Sequence, residues 1–149
     1  MPALSGRARA FLEANRGAAM TTLRRDGSAH AVRVGVALVD GRLWSSGTAD
    51  RVRTRHLRRD PRATLFVFGA TYEALTLEAT VRILDGPDAP ELSWELFSTM
   101  QHGMTPAPSP GHLMWFGKQL AKEDFLAQMV KERRLIYEFE VTREYGLRG

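Results

Sequence analysis

The two Asp-Gly pairs, Asp26-Gly27 and Asp40-Gly41, restrict the fold more than any other feature of this sequence. Asp-Gly is a strong signal for the tight turn of a β-hairpin, because both residues tolerate positive φ angles. The runs around the two pairs are apolar and β-branched: AAMTTL at 18–23, an alternating run from Ser28 to Val39, and RLWSSGT at 42–48. The first part of the chain is therefore predicted to be an antiparallel meander of three strands.

The other segments alternate between short helices and further strands. A helix is predicted over Ser5–Asn15, and another from about residue 50 to Arg59, where Asp60-Pro61 ends it. The later predictions are strands at 63–68, 73–84 and 135–141, helices at 89–102 and 118–131, and a Pro/Gly/Ser-rich loop at 103–112. Antiparallel strands with regularly spaced turns favour a closed or split β-barrel over a parallel α/β sheet.

Length and composition exclude several classes of protein. With 149 residues and no repeat, the chain has the size of one domain with one core. The absence of cysteine excludes disulfides, thiolate metal sites, iron–sulfur clusters and cysteine nucleophiles. No apolar run approaches the roughly 20 residues that cross a bilayer. The polar, basic segment Met1–Arg9 lacks the apolar stretch of a signal peptide, so a cytoplasmic location without a membrane partner is predicted.

The basic residues are concentrated in one segment. Arginine supplies 18 of the 21 basic residues, and the segment 51–62 holds six arginines against Asp60. This segment carries +5, and because the whole chain carries +4, the remainder sums to −1. A nucleic-acid binder usually spreads its positive charge over a face that contacts many phosphates. One compact basic segment instead favours a single acidic small molecule as the partner, and no nucleic acid.

The beginning of the helix near residue 50 is the main candidate for a binding site. Free N–H groups and the positive end of the helix dipole favour a phosphate there, with Thr48 or Asp50 as the predicted cap. Arg51 and Arg53 lie in the first turn, where arginine can fork onto phosphate oxygens, and Thr54 adds a hydroxyl donor. The alternative is a solvated charged face, which fits the later arginines of the segment better.

Other candidate residues are less specific. The histidines at 30, 56, 102 and 112 show no ligand spacing, so no metal site is predicted. Ser45-Ser46-Gly47 is small and polar, which lets a backbone approach a flat ring, although a plain strand end has the same composition. The tryptophans, phenylalanines and methionines of 92–116 line a pocket for a flat apolar substrate, close a dimer interface, or simply pack a helix on the barrel.

Three stretches of the chain resemble the split-barrel flavin/deazaflavin oxidoreductases, the superfamily of pyridoxamine 5'-phosphate oxidase. Ala18–His30 matches the early AxxTTLRxDGxxH pattern, Arg51–Ala63 the basic block that ends NLRRDPRA, and Met129–Gly146 the ending MVxxRRxxxxxxxxxxYG. His56 replaces the usual asparagine of the block, and Asp50 replaces a residue that is commonly proline. Within the superfamily the chain is most similar to actinobacterial members that use the deazaflavin coenzyme F-420.

The resemblance implies a mainly β, single-domain split β-barrel over residues 1–149, antiparallel and Greek-key-like, with short flanking helices and a helical insertion at about 88–131. It implies a homodimer with each cofactor in a groove between subunits, and pairing would also cover apolar surface that such a barrel exposes. Nine residues are then candidates for cofactor binding: Arg51, Arg53 and Thr54 at the phosphate, His30, Arg33, Val34, Ser45 and Ser46 beside the ring and ribityl chain, and Tyr72 near the active face.

The function that the resemblance implies is that of a coenzyme F-420-dependent oxidoreductase, which transfers hydride between the reduced deazaflavin and an unsaturated small molecule. The alternatives are an FMN-dependent pyridoxamine 5'-phosphate oxidase-like enzyme and a non-catalytic deazaflavin carrier. The tail of F-420 bears a phosphodiester and several carboxylates, so a +5 segment offers more complementary charge than the one phosphate of FMN requires. No residue is an evident catalytic base, and the proton for a reduced product comes from His30, Tyr72 or water.

Overall fold

A computed structural model describes residues 4–147 of the chain. Its helices are α1 (Gly6–Ala14), α2 (Val52–Arg59), α3 (Ala89–Gln101) and α4 (Lys122–Lys131). Its strands are β1 (Gly17–Leu23), β2 (Ala29–Gly35), β3 (Ala37–Val39), β4 (Arg42–Thr48), β5 (Arg62–Phe68), β6 (Ala74–Leu84), β7 (His112–Trp115), β8 (Lys118–Ala121) and β9 (Arg134–Tyr145). The mainly β, single-domain prediction is confirmed.

Seven of the strands form one antiparallel sheet in the order β2-β1-β5-β6-β9-β4-β3, and β7 and β8 form a separate hairpin. The Asp40-Gly41 turn joins β3 to β4 with both residues at positive φ, 50° and 75°, as a two-residue hairpin turn requires. In the other predicted turn Gly27 has a φ of 87°. Both Asp-Gly turns therefore lie where the sequence predicts them.

The sheet closes into a split barrel at Val36, where the predicted strand Ser28–Val39 is divided in two. Its first part, β2, pairs with β1 at one edge of the sheet, and its second part, β3, pairs with β4 at the other edge. The Val36 N–H donates to the Arg16 carbonyl at 2.8 Å, and the Ser45 hydroxyl donates to the Gly35 carbonyl at 2.7 Å across the seam. The prediction of a meander of three strands is wrong, because the middle strand is divided in two and its halves pair at opposite edges of the sheet.

The barrel interior is filled by alternate residues of the strands. Burial alternates along β1, and the inward side chains include the fully buried Met20, Leu65, Leu77 and Tyr137. The outward residues of β5 include Phe66 and Phe68, which remain 45% and 39% exposed. The sheet thus has one dry face and one face that carries exposed aromatic rings.

The segment between β6 and β9 is helical only at its two ends. The loop predicted at 103–112 is present up to Gly111, whereas the beginning of the helix predicted from Lys118 is replaced by β8 of the β7–β8 hairpin, and α4 begins at Lys122. Phe116 and Gly117 form the turn of this hairpin with φ angles of 49° and 81°. The two strands have four residues each, too few for a periodic pattern to distinguish them from a loop or a helix end.

Candidate functional site at the beginning of helix α2

Helix α2 packs against β1 and buries the side chains of its own Thr54, His56 and Leu57. No side chain of the described residues caps its first turn, and Arg51 occupies the cap position. The predicted caps, Thr48 and Asp50, bond to each other instead, with the Thr48 hydroxyl donating to the Asp50 carboxylate at 2.7 Å. This hydrogen bond lowers the pKa of Asp50. The prediction that Thr48 or Asp50 caps the helix is wrong. Among the described residues, no capping side chain accepts a hydrogen bond from the N–H groups of the first turn.

Arg53 is the most constrained arginine at this helix end. One terminal nitrogen donates to the Ser46 carbonyl at 3.3 Å, and the guanidinium carbon lies 5.6 Å from the centre of the Tyr137 ring. Its Nε is buried without a hydrogen-bond partner. Burial lowers the pKa of Arg53, Tyr137 opposes this effect, and the positive charges of Arg51 and Arg134 act in the same direction as burial. A guanidinium held in this way gains stability when an anion approaches it.

Three buried side-chain atoms within residues 4–147 lack a hydrogen-bond partner: Arg53 Nε, Ser46 Oγ and His30 Nδ1. A buried polar group without a partner costs about 1–3 kcal/mol, so most proteins avoid it unless a ligand completes the site. All three belong to residues predicted to bind the cofactor. Ser46 and Arg53 are brought together by the hydrogen bond between them.

His30 reaches the same helix through His56. The two imidazole rings are perpendicular, with their centres 5.2 Å apart, and His56 Nδ1 is 2.9 Å from the Thr22 hydroxyl. Because Arg53 and His56 are three residues apart, they lie on the same side of α2. Helix α2 therefore connects His30 on β2 with Ser46 on β4, across the gap between the two strands.

Three of the predicted residues have side chains that the protein itself uses. Thr54 is fully buried, and its hydroxyl donates to the Thr48 carbonyl at 2.8 Å and contacts the Tyr137 hydroxyl. The Ser45 hydroxyl bonds across the seam, and Val34 packs in the barrel core. Strand β2 lies at an edge of the sheet, however, so main-chain groups along its outer side have no ladder partner. Through these groups Val34 can still contact a flat ligand.

Arg33 and Tyr72 lie apart from this group. The Arg33 side chain is exposed on the outer face of the sheet, with its guanidinium carbon 5.9 Å from the centre of the Phe68 ring. Tyr72 is 93% exposed in the turn between β5 and β6. The structure brings neither side chain into contact with Ser46 or Arg53.

The basic segment is less uniform in the structure than in the sequence. Arg58 forms an ion pair with Asp85 at 2.9 Å, and Arg62 one with Asp60 at 2.7 Å. Hydrogen bonds and the charge of Arg62 lower the pKa of Asp60 to about 2. Arg59 donates to the Leu23 carbonyl. Arg51 and Arg53 at the helix start make no ion pair with any described carboxylate, so their charges are free to meet an anion.

Two residues of this site were not found from the sequence. Tyr137 lies beneath Arg53, and Arg134 is a diagonal neighbour of Ser46, because Thr48 pairs with Arg134 and Ser46 with Ile136. In the sequence, Tyr137 cannot be distinguished from the apolar residues of the run LIYEFEV, so its role could not be predicted. Arg134 belongs to the RR pair of the third matched motif, and this pair was the sequence feature that could have indicated its place in the site.

Neither a metal centre nor a membrane-spanning helix is found between residues 4 and 147. No group of three or more histidine and acidic side chains is placed there to hold a metal ion. None of the helices described is long and apolar enough to cross a bilayer.

Comparison with known proteins identifies one family by sequence and several solved structures with a similar fold. The sequence profile of the pyridoxamine 5'-phosphate oxidase family matches residues 4–143. No protein with a curated description matches the chain in sequence.

Three solved structures resemble the fold at low sequence identity. A conserved hypothetical protein from Mycobacterium tuberculosis has a TM-score of 0.72 at 20% identity, over 95% of this chain and 82% of that one. An F420 reductase has a TM-score of 0.65 at 17% identity, over 93% and 95%. General stress protein 26 from Bacillus anthracis has a TM-score of 0.63 at 11% identity, over 93% and 89%. At these identities the likeness concerns the fold alone.

Proposed function

The chain belongs to the pyridoxamine 5'-phosphate oxidase family, and from this premise we propose that it is a coenzyme F-420-dependent oxidoreductase acting on an unsaturated small molecule. The family binds flavin or deazaflavin cofactors, and its members are commonly oxidoreductases. The choice of F-420 is supported by the resemblance of the arginine segment and by the F420 reductase among the similar folds.

The observation that carries the proposal is the pair of unpartnered atoms on Ser46 and Arg53. A hydroxyl and a guanidinium edge beside an uncapped helix start match the donors that a phosphate requires. Arg51 adds a second, exposed positive charge at the same end. The residues present therefore fit the phosphate-bearing end of a flavin or a deazaflavin.

The ring would lie along the outer edge of β2, where the main-chain groups of residues 30–34 that point away from β1 have no ladder partner. A bound deazaflavin supplies the hydride chemistry, and the protein supplies orientation and exclusion of water. His30 Nδ1 is available to accept or donate a hydrogen bond on this side of α2. The proton source for a reduced substrate remains His30, Tyr72 or water.

The second cofactor candidate is FMN. Because Arg58 is paired with Asp85, which lies outside the segment, the free charge at the site is smaller than the +5 of the segment. A single phosphate would be satisfied by Ser46, Arg51 and Arg53. The choice between the cofactors is tested by titrating each against the intrinsic tryptophan fluorescence. Tighter binding of FMN would overturn the F-420 proposal.

A non-catalytic deazaflavin carrier is the remaining alternative. Reduced F-420 is mixed with the protein and a panel of enones, quinones and tetrapyrroles, and its reoxidation is followed by absorbance. The proposal expects turnover of at least one compound. Tight binding without any turnover would favour the carrier.

We also propose that the protein is a homodimer, with the cofactor groove between two copies. Phe66 and Phe68 are exposed side by side on the outer face of β5, with their ring centres 5.7 Å apart. A second copy on this face would bury both rings. It would also cover Arg33, whose guanidinium group lies over the Phe68 ring. Light scattering tests this arrangement, and a cofactor-binding species with the 16.7 kDa of one chain would exclude it.

A further inference from the structure

The buried tyrosine beneath Arg53 connects the helix start to the barrel core. Tyr137 is fully buried on β9, opposite Ser45 of β4. A Cβ atom on Gly47 would clash with the Tyr137 hydroxyl oxygen and with the ring carbons next to it. The ring therefore passes directly beneath Gly47, where only a glycine leaves room for it, and emerges against the first turn of α2.

The hydroxyl of Tyr137 is held in one direction. Thr54 has a single hydroxyl proton, and it donates this proton to the Thr48 carbonyl at 2.8 Å. The hydrogen bond between Thr54 and Tyr137 must then have the Tyr137 hydroxyl as its donor. This chain of hydrogen bonds, from the Tyr137 hydroxyl to the Thr54 hydroxyl to the Thr48 carbonyl, prevents the ring from rotating away from the helix.

The fixed ring presents its face to Arg53. The guanidinium carbon lies 5.6 Å from the ring centre, and the far nitrogen donates to the Ser46 carbonyl. An arginine side chain in solution samples many rotamers, whereas this one is held by a ring on one side and a carbonyl on the other. The unpartnered Nε is the donor that this arrangement leaves for a ligand.

We propose that Tyr137 is a positioning residue for anion binding: its ring pre-orients the Arg53 guanidinium, and Gly47 is the glycine that makes room for it. This inference rests on the proposed function, because it concerns the same phosphate-binding arginine. It assigns the effect to the ring, and it assigns the hydroxyl only to the stability of the helix start.

The test is a double-mutant cycle on ligand affinity. FMN and coenzyme F-420 are titrated separately, by tryptophan fluorescence, against the unaltered protein, Arg53→Lys, Tyr137→Leu and the double variant. Lysine keeps the charge of Arg53 but cannot stack its planar group, so Arg53→Lys is expected to weaken binding by about tenfold. Tyr137→Leu is expected to cause a similar loss, and the double variant is expected to be no weaker than either single one. Losses that multiply would show that the two residues act independently, and the inference would be wrong.

Two hydroxyl variants separate positioning from stability. Tyr137→Phe keeps the ring and Thr54→Val removes the acceptor, so both are expected to lower the melting temperature yet bind within about threefold of the unaltered protein. If Tyr137→Leu does not fold, these variants and Arg53→Lys decide the matter. A Tyr137→Phe protein that binds as weakly as Arg53→Lys would overturn the role of the ring.

Arg53→Ala distinguishes failure of the inference from failure of the proposed function. If Arg53→Ala binds both cofactors as tightly as the unaltered protein does, the phosphate site itself is wrong. If Arg53→Ala loses affinity while Tyr137→Leu does not, the site stands and only the role of Tyr137 is lost.

Discussion

The beginning of helix α2 and the insertion between β6 and β9 both contact strand β9, but their polar groups are satisfied to opposite degrees. In the insertion, the Glu132 carboxylate accepts from Trp115 at 2.9 Å, from Gln128 at 2.6 Å and from Arg134 at 2.9 Å. Gln101 accepts from and donates to the main chain of Met114. At the helix start, by contrast, Arg53, Ser46 and His30 each keep a buried atom without a partner.

The pKa values of the two regions follow the same division. Burial alone would raise the pKa of Glu132, but hydrogen bonds from Gln128, Trp115 and Arg134 together lower it. Burial lowers the pKa of Arg53, and it is opposed by Tyr137 rather than by any described carboxylate. A network with every member satisfied holds structure, whereas one with free members is ready for a ligand. The insertion is therefore interpreted as a support, and the helix start as the binding site.

The largest expected effect is on stability, from the small core of the insertion. Phe125 is fully buried there between Trp94, Phe97 and Trp115. Phe125→Ala is expected to lower the free energy of unfolding by about 3–5 kcal/mol. Urea denaturation followed by tryptophan fluorescence measures this change. Phe116→Ala is the matched control, because that ring is 83% exposed, and an equal loss there would contradict the packing argument.

The second effect is on affinity, from the helix start. Arg53→Ala removes a charged hydrogen bond worth about 1.5–3 kcal/mol, so cofactor affinity is expected to fall roughly ten- to hundredfold. Thermal stability should change little, because the substitution also removes a buried charge without a counterion. Fluorescence titration and a melting curve measure the two quantities. Arg58→Ala serves as the control, since that arginine already pairs with Asp85.

A smaller effect is expected at Arg51, which the sequence places on a par with Arg53. Arg51 is exposed and caps the helix without a side-chain hydrogen bond, so it acts on an anion mainly through its charge. Arg51→Ala should weaken cofactor binding by less than about tenfold, and the loss should fade at high salt. Titrations at low and high ionic strength test this. A salt-independent loss equal to that of Arg53→Ala would make Arg51 a full member of the site.

The smallest effect is a pH dependence from His56. Burial lowers the pKa of His56, and the nearby His30 and Arg59 act in the same direction. The unfolded chain therefore takes up a proton first as the pH falls below about 6.5. Above that pH the neutral ring contributes to the free energy of unfolding. This contribution is lost as the pH falls through the pKa of His56 in the folded protein.

Urea midpoints at about pH 7.5 and about pH 5.5 measure this loss. His56→Asn is the matched variant, because asparagine can still bond to Thr22 but does not titrate. Its midpoint should change less between the two pH values. An identical pH response in both proteins would assign the loss to other groups.

Most of the fold could be predicted because its signals are local. The Asp-Gly turns, the alternating run of β6 and the Asp60-Pro61 stop each act over a few residues, and each lies where the sequence predicts it. The bend at Val36 had no such signal, because its cause is the pairing of the two halves of one predicted strand at opposite edges of the sheet. The β7–β8 hairpin was missed for the same reason, since Gln101 on α3 and Glu132 after α4 hold it from outside its own sequence.

The sequence by itself determined that this chain is a single antiparallel β domain with an arginine-rich helix start, because turn chemistry, alternation and charge are properties of neighbouring residues. Only the tertiary structure decided which of those arginines remain free for an anion. Arg58 pairs with Asp85, 27 positions away in the chain, while Arg53 is stacked on a tyrosine 84 positions away. Such pairings depend on how distant strands are brought together in space, and neighbouring residues carry no signal for them.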